Sequence, residues 1–511
     1  MLPPSPTPRR WPRRTLIAGG VVLSLFVLLA GLAYGYVRYR LDSIRTEAAP
    51  HLSAEVHGGP DSRGGLAPEN ILLIGNETRS GITNPTEIQE FGSPTELSGS
   101  LSDVIMILHL DPKKYTASLL SIPRDLFLPM PPDSGLGPYE KVDAALNDGS
   151  NGPDNLIQTL TDDLGIPINH FVELDFDGFQ ATVNAIGGIK IDFPEPVFDA
   201  QSGLNITTPG CAHLGGAQAL ALVRARHLQY DPPGNTESHA YWPYDPESDL
   251  SRIVRDHTFL RVVATTAESQ GLTDPIKANA FLGAVINQVT IDPGLKGQLI
   301  SLASHYRHIN PANVPETTLP ITTVGSAYGY TYAGSAIGDV DFAVEPADEQ
   351  VIQAWDPQAL PAPTLPTAVN IVNIAGVAHL ASNTSASLRT DGFTIGTATT
   401  GSEPAGTTET LIRYAPGNLA QAVSVLDELS GAVMLQQEPG QAPGTVELDV
   451  GSTFAVLPPP SAAPATTAST VAGQATTTTT INVPTPGGEA PSSATDVVRP
   501  WDPIPCPPAA S

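Results

Sequence analysis

The chain has 511 residues, 51 of them proline and 46 glycine, with 41% hydrophobic residues, so it holds two or three domains joined by extended segments. Its 52 Asp and Glu outnumber 25 Lys and Arg for a formal net charge of −27, which excludes the broad basic surface that nucleic acid binding needs. Two cysteines, Cys211 and Cys506, without a Cys-x-x-Cys or a Cys/His cluster, argue against a zinc or iron–sulfur centre.

Residues 1–14 carry Arg9, Arg10, Arg13 and Arg14, and residues 15–37 then run 23 positions without a charge. That length spans a bilayer, and the preceding arginines keep the short N-terminus cytoplasmic. A single transmembrane anchor with the rest of the chain extracytoplasmic is the expectation; a cleaved signal peptide, with Gly31-Leu32-Ala33 as processing site, is the alternative. Residues 38–68, punctuated by glycine and proline, read as a linker. Short apolar runs at Ile71–Gly75, Val104–Leu110 and Ala117–Ile122 predict buried strands, followed by strands at Phe171–Phe176 and Ile189–Phe193. Asp177 is a plausible N-cap for a helix over Gly178–Ile186, and Asp274-Pro275 opens another that ends near Gln288. Strands alternating with helices predict an α/β architecture for residues 69–360.

A proline-rich break at Pro361–Pro366 precedes a smaller α/β unit over residues 367–456. Strands are expected at Ala368–Ile374, Phe393–Ala398 and Glu409–Tyr414, with helices near Gly376–Arg389 and Leu419–Leu429. Residues 457–511 collapse into Pro, Thr, Ala and Ser, a composition that buries too little apolar area to order itself.

Chemistry concentrates in a few polar positions. Glu77 and Arg79 follow the first strand directly, Asp103 precedes the second, and Arg124-Asp125 follow the third. Ligands in open α/β sheets bind at such strand ends. Between residues 224 and 261 stand five arginines and no lysine: Arg224, Arg226, Arg252, Arg255 and Arg261. Arginine's planar fork matches phosphate oxygens, so the concentration points to a multiply charged phosphate ligand. Arg252 and Arg255, at i and i+3 of a helical pattern, share one face with Phe259, Val262 and Val263 nearby. Each signal has a plain structural reading: Glu77 with Arg79 as a surface ion pair, Arg124-Asp125 as a pair at a sheet rim, Arg252 and Arg255 as a solvated helix face beside Glu247 and Asp249. An exported chain with two cysteines also allows one disulfide, Cys211–Cys506, tying the Trp501–Pro508 stretch to the large domain.

The chain resembles the LytR-CpsA-Psr proteins of bacterial cell envelopes. The resemblance rests on NILLIGNETR (70–79), SDVIMILHLDPKKYTASLLSIPRD (102–125), KVDAALNDG (141–149), FVELDFDGFQATVNAIGGIKIDFP (171–194), GGAQALALVRARH (215–227) and DLSRIVRDHTFL (249–260). Residues 367 to about 455 look like the C-terminal domain often attached to these proteins. The resemblance implies a large catalytic domain with a central mixed β-sheet flanked by helices. It also implies a membrane-anchored phosphotransferase that moves a glycopolymer from polyprenyl pyrophosphate to peptidoglycan, with pyrophosphate hydrolysis as a side activity. By motif, Glu77 and Asp103 would hold magnesium or help deprotonate the acceptor. Arg79, Arg124, Arg224, Arg226, Arg252 and Arg255 would clamp the pyrophosphate, and Arg261 falls outside the motif. The lipid would lie between sheet and helices.

Three departures from the family pattern stand out. Glu77 replaces an aspartate, Leu101 stands where an arginine usually precedes Ser-Asp, and Asp256-His257 replaces a glutamine pair. They keep a second reading open, a non-catalytic polyprenyl-phosphate or cell-wall binding protein.

Overall fold

The computed structural model describes residues 35–36, 38–53, 66–77, 101–147, 151–246, 248–269, 283, 285–286, 288–324, 329–401, 409–452, 454–457 and 498–507. Among them no helix is long and apolar enough to cross a membrane; the predicted span 15–37 falls outside them, apart from residues 35 and 36. Most of the helix predicted before Gln288 also lies outside the described residues.

A seven-stranded mixed sheet forms the centre of the large unit, in the order Arg45–Thr46, Val289–Ile291, His170–Asp175, Glu69–Asn76, Ser102–Asp111, Thr116–Ser121, Glu316–Thr318. The central strands are the apolar runs of the sequence: Ile71–Gly75 and Val104–Leu110 are extended at both ends, and Ala117–Ile122 and Phe171–Phe176 are shifted one residue toward the N-terminus. Glu69–Asn76 lies parallel to His170–Asp175 and antiparallel to Ser102–Asp111, which lies antiparallel to Thr116–Ser121. Four chain segments therefore bring the ends that carry Asn76, Asp103, Ser121 and Asp175 to one edge of the sheet. On one side Leu72, Ile107, Leu120 and Phe171 pack against Leu156, Ile157 and Leu160 of the helix Gly152–Leu164. A second core gathers the helices Phe176–Ala185, Gly216–Val223 and Ser248–Ser269 around Phe193, Leu220 and Phe259. Asp175 caps the first of these, accepting from the Gly178 amide at 2.8 Å, so the cap falls two residues before the expected Asp177.

The expected linker and part of the expected unstructured tail hold structure. Arg45–Thr46 adds an edge strand to the main sheet, and His51 binds Asp154 through its amide and its Nδ1, both at 2.8 Å. Residues 498–507, expected within the unstructured tail, are seated on the large unit: Ile504–Pro505 pairs with Ile189–Phe193, which also pairs with Gly210–Leu214 in a small separate sheet. Cys211 and Cys506 form a disulfide with their Cα atoms 5.8 Å apart. Local composition missed both segments because their ordering comes from partners more than a hundred residues away.

The smaller unit has the expected strands Ala368–Asn373, Ile395–Thr400 and Thr410–Tyr414 and the helices Leu380–Thr390 and Leu419–Leu426, with Leu429–Gln437 and Thr445–Val450 added. The proline break does not separate two independent bodies. The strands Ile321–Val324 and Val340–Glu345 of the first unit continue the second unit's sheet, Val344 pairing with Ala432 and Glu345 with Gly431.

Candidate functional site

The site forms where the four strand ends meet. Gly75 is required there: a Cβ would stand 2.9 Å from the Val104 Cβ. The register then skips a residue, Gly75 pairing with Val104 and Asn76 with Ser102, so Asp103 is the extra residue of a β-bulge. A bulge re-aims the side chain it carries. Asp103 accepts a hydrogen bond from Arg124 Nη1 and lies 3.6 Å from Arg252 Nη1. Glu77, whose amide binds the Leu101 carbonyl at 2.9 Å, accepts from Arg224 Nη2 at 3.2 Å. The Arg224 guanidinium also lies over the Phe176 ring, 4.7 Å from its centroid, a cation–π contact. Asn76 donates to Glu173 at 2.5 Å, which braces the strand end just before Glu77.

Asp125 gathers a second group: it accepts from Lys141 Nζ at 2.7 Å and Arg226 Nη2 at 3.3 Å, and lies 3.6 Å from Arg124 Nε. Burial alone would raise the Asp125 carboxyl, but Arg124, Lys141 and Arg226 outweigh it and hold it below the ordinary value. Asp143 behaves oppositely. Burial pushes its carboxyl up to about 6 although Arg124 is near. Lys141 and Asp143 belong to the KVDAALNDG segment, which carries no residue-level expectation; their signal was two charges directly ahead of the apolar Ala144-Ala145-Leu146.

The structure thus brings together Glu77, Asp103, Arg124, Arg224, Arg226 and Arg252 from separate segments. Arg79 lies outside the described residues. Arg252 and Arg255 do not form a solvated face; they are 2% and 0% exposed. Arg255 departs from the expected clamp role. Its Nη1 donates to Asp245 at 3.0 Å and lies 3.6 Å from Asp502, and its Nη2 donates to the Ala225 carbonyl at 2.6 Å. Arg261 pairs with Glu316 of the edge strand, as befits a structural residue. Asp256 and His257 are both buried, the latter 2.6 Å from Ser121 Oγ through Nε2.

Directly beside this cluster is a cavity with an almost wholly apolar wall: Leu73, Val172 and Leu174 from the sheet, Phe179 and Val183 from one helix, Leu220 and Val223 from another, Phe259 and Val263 from the long helix. Phe179 and Phe259 stack on each other in that wall with centroids 4.8 Å apart. Asp103, Asp175, Arg224 and Asp256 are its charged residues. No single stretch of sequence reveals this wall, because it draws on sheet and three helices.

Among the described residues no group of three or more His, Cys, Asp or Glu is placed to hold a metal. Glu77 and Asp103 supply two carboxylates, the number magnesium takes when substrate phosphate completes its shell. Both are hydrogen-bonded to arginines, Glu77 to Arg224 and Asp103 to Arg124, and would give up those bonds to hold the ion.

The arginine cluster thus stands directly beside a hydrocarbon-lined cavity. Residues 60–341 match the model of the LytR_cpsA_psr family, more than half of the chain, and the protein belongs to that family. Residues 367–454 match the model described as LytR cell envelope-related transcriptional attenuator. The cell wall biosynthesis protein LcpA of Corynebacterium glutamicum is 27% identical over 449 residues, 80% of each chain. The probable cell wall biosynthesis protein LcpB of the same organism is 31% identical over 229 residues, 45% of this chain and about half (49%) of that relative. The polyisoprenyl-teichoic acid–peptidoglycan teichoic acid transferase TagU of Oceanobacillus iheyensis is 25% identical over 56% of this chain and 78% of its own. Among solved structures, the LytR-Csp2A-Psr enzyme from Actinomyces oris aligns over 58% of this chain and 90% of its own at 22% identity, with a TM-score of 0.41.

Proposed function

We propose that the protein transfers a phosphate-linked glycopolymer from a polyprenyl pyrophosphate carrier to a hydroxyl of peptidoglycan, in cell wall biogenesis. The single observation that carries this reading is the junction of the arginine cluster with the apolar cavity, which fits both halves of such a carrier. The names of its relatives, cell wall biosynthesis proteins and a polyisoprenyl-linked teichoic acid transferase, support it.

In this reading Arg124, Arg224, Arg226 and Arg252 exchange their carboxylate partners for phosphate oxygens, with Arg79 added from the adjoining segment. The acceptor oxygen attacks the phosphorus that bears the glycan, the P–O bond of the pyrophosphate bridge breaks, and polyprenyl phosphate leaves. The hydroxyl proton passes to the carboxylate of Asp103 or Glu77. Such transfers depend mainly on positioning and charge neutralisation, which is what the cluster offers. Magnesium held by Glu77 and Asp103 would supply further neutralisation of phosphate charge. Residues 15–37 would anchor the chain in the membrane as a single pass, beside its lipid substrate, with the remainder extracytoplasmic.

The test is turnover by full-length protein in nanodiscs given polyprenyl-pyrophosphate-linked glycan, a peptidoglycan acceptor and magnesium. Release of polyprenyl phosphate, lost in Arg124→Ala, supports the reading. Tight binding without release in the unaltered protein favours the non-catalytic alternative and sinks transfer.

A further inference from the structure

Ten residues near the C-terminus reach the interior of the large unit. Ile504–Pro505 pairs with Ile191 and Asp192, Cys506 is bonded to Cys211, and Trp501 stacks on Tyr230 with centroids 3.9 Å apart and planes within 8°. Between these attachments Asp502 is only 1% exposed. Its own turn fixes it: the Arg499 amide donates to Asp502 Oδ2 at 2.8 Å, and the Asp502 amide donates to the Arg499 carbonyl at 3.0 Å. That leaves Asp502 Oδ1 directed at Arg255 Nη1, 3.6 Å away.

We propose that Asp502 is a positioning residue for the phosphate site, acting through Arg255 on the arginines of two separate segments. Arg255 connects to both. Its Nη2 holds the carbonyl of Ala225, the residue between Arg224 and Arg226. Its backbone lies one helical turn from Arg252, on the same face of Ser248–Ser269. Charge compensation does not account for Asp502. Asp245, fully buried and hydrogen-bonded to Arg255 at 3.0 Å and to Ser251 at 3.0 Å, already neutralises the guanidinium. A second buried carboxylate costs desolvation and is unnecessary for a simple ion pair. Its Oδ1, which makes no hydrogen bond, faces the same Nη1 as Asp245 from 3.6 Å, and that second attraction biases the angle at which Arg255 grips Ala225. Clamp arginines must be placed to within a fraction of an ångström for phosphate transfer, so a brace on their common anchor controls the site.

The inference rests on reading the arginine cluster as a phosphate site, and binding of geranyl pyrophosphate tests it separately from turnover. In the full-length chain with its disulfide intact, Asp502→Asn should weaken geranyl pyrophosphate binding about tenfold and lower kcat more than it raises KM for the polyprenyl substrate. Asp502→Glu should restore part of both. A merely structural Asp502 would lower Tm and leave both constants unchanged in the folded fraction, which would overturn the proposal. A second form makes the result independent of folding in the variant. A protease site introduced between residues 461 and 497 is cut, and reductant then releases the peptide. Loss of binding that is restored by synthetic peptide 498–507, but not by an Asp502→Asn peptide of equal affinity for the protein, supports the proposal. Equal rescue by both peptides, or undiminished binding without either, sinks it. Absence of turnover with normal geranyl pyrophosphate binding in the unaltered protein would count against transfer and leave this inference standing.

Discussion

Asp103 and Arg255 show how far a residue's role depends on its partners. Asp103 stands between Arg124 and Arg252, so either arginine is available to a phosphate that displaces the carboxylate. Arg252→Ala should lower kcat/KM about 10²–10³-fold, the scale of losing one preorganised donor to developing charge, well beyond what its loss of folded protein accounts for. Arg255→Ala should instead cost about 3–5 kcal/mol of stability, because the buried carboxylates of Asp245 and Asp502 would lose the guanidinium between them. Chemical denaturation of the two variants distinguishes them. The sequence was sufficient to pick out the arginines as a group, since their number is anomalous in an acidic chain. It could not separate Arg252 from Arg255, three residues apart on one face. The difference lies in Asp245 and Asp502, which reach Arg255 through a loop and a distant peptide.

At the scale of the element, the strands were readable and the cavity was not. Continuous apolar runs such as Ile71–Gly75 and Val104–Leu110 announce doubly covered strands, and all appear within two residues of expectation. The helix cap shifted from Asp177 to Asp175 because two aspartates stand on either side of the strand end and only backbone geometry selects one. The bulge at Asp103 had one trace, the glycine opposite it. Gly75→Ala would press a methyl against Val104 and is expected to cost about 1–3 kcal/mol while displacing Asp103; loss of turnover greater than the loss of folded protein checks this. The long helix lines the cavity with Phe259 and Val263 one turn apart. Val263→Trp should fill that space and raise KM about tenfold for a long-chain polyprenyl donor while sparing a short-chain analogue, measured side by side.

At the scale of the molecule, the seam between the two units is acidic. Glu345 ends the shared strand, Asp348 and Glu349 open the helix Ala347–Trp355, and Asp427 follows the helix Leu419–Leu426 of the smaller unit. Asp163, Glu345, Asp348 and Glu349 line one small cavity at this seam, and Glu428 follows Asp427 in sequence. Burial, then contact with Asp427 and the charge of Asp348, push Glu349 up to about 8; burial raises Glu345 and Asp348 as well. These carboxyls bind protons in the folded state that the unfolded chain has released. Their contribution is therefore full below the ordinary carboxylate range and is lost as pH rises toward about 8. Calorimetry should show Tm falling by at least about 4 °C between roughly pH 5 and pH 9, and Glu349→Gln should flatten the slope. None of this was legible beforehand, since these carboxylates come from both sides of a proline-rich break that looked like a boundary.

The shared strand has a practical consequence for anyone dividing this protein. One family model ends at residue 341 and the next begins at 367, so Val340–Glu345 straddles the end of the first match, and its last four residues belong to neither. A truncation placed at that border would strip Leu429–Gln437 of a hydrogen-bonded neighbour and leave Ile321–Val324 without its ladder. Raw strand edges of this kind recruit other chains. Fragments cut by homology should therefore aggregate where the chain kept through residue 507 stays monodisperse, and the unit inherited as a sequence is smaller than the unit that folds.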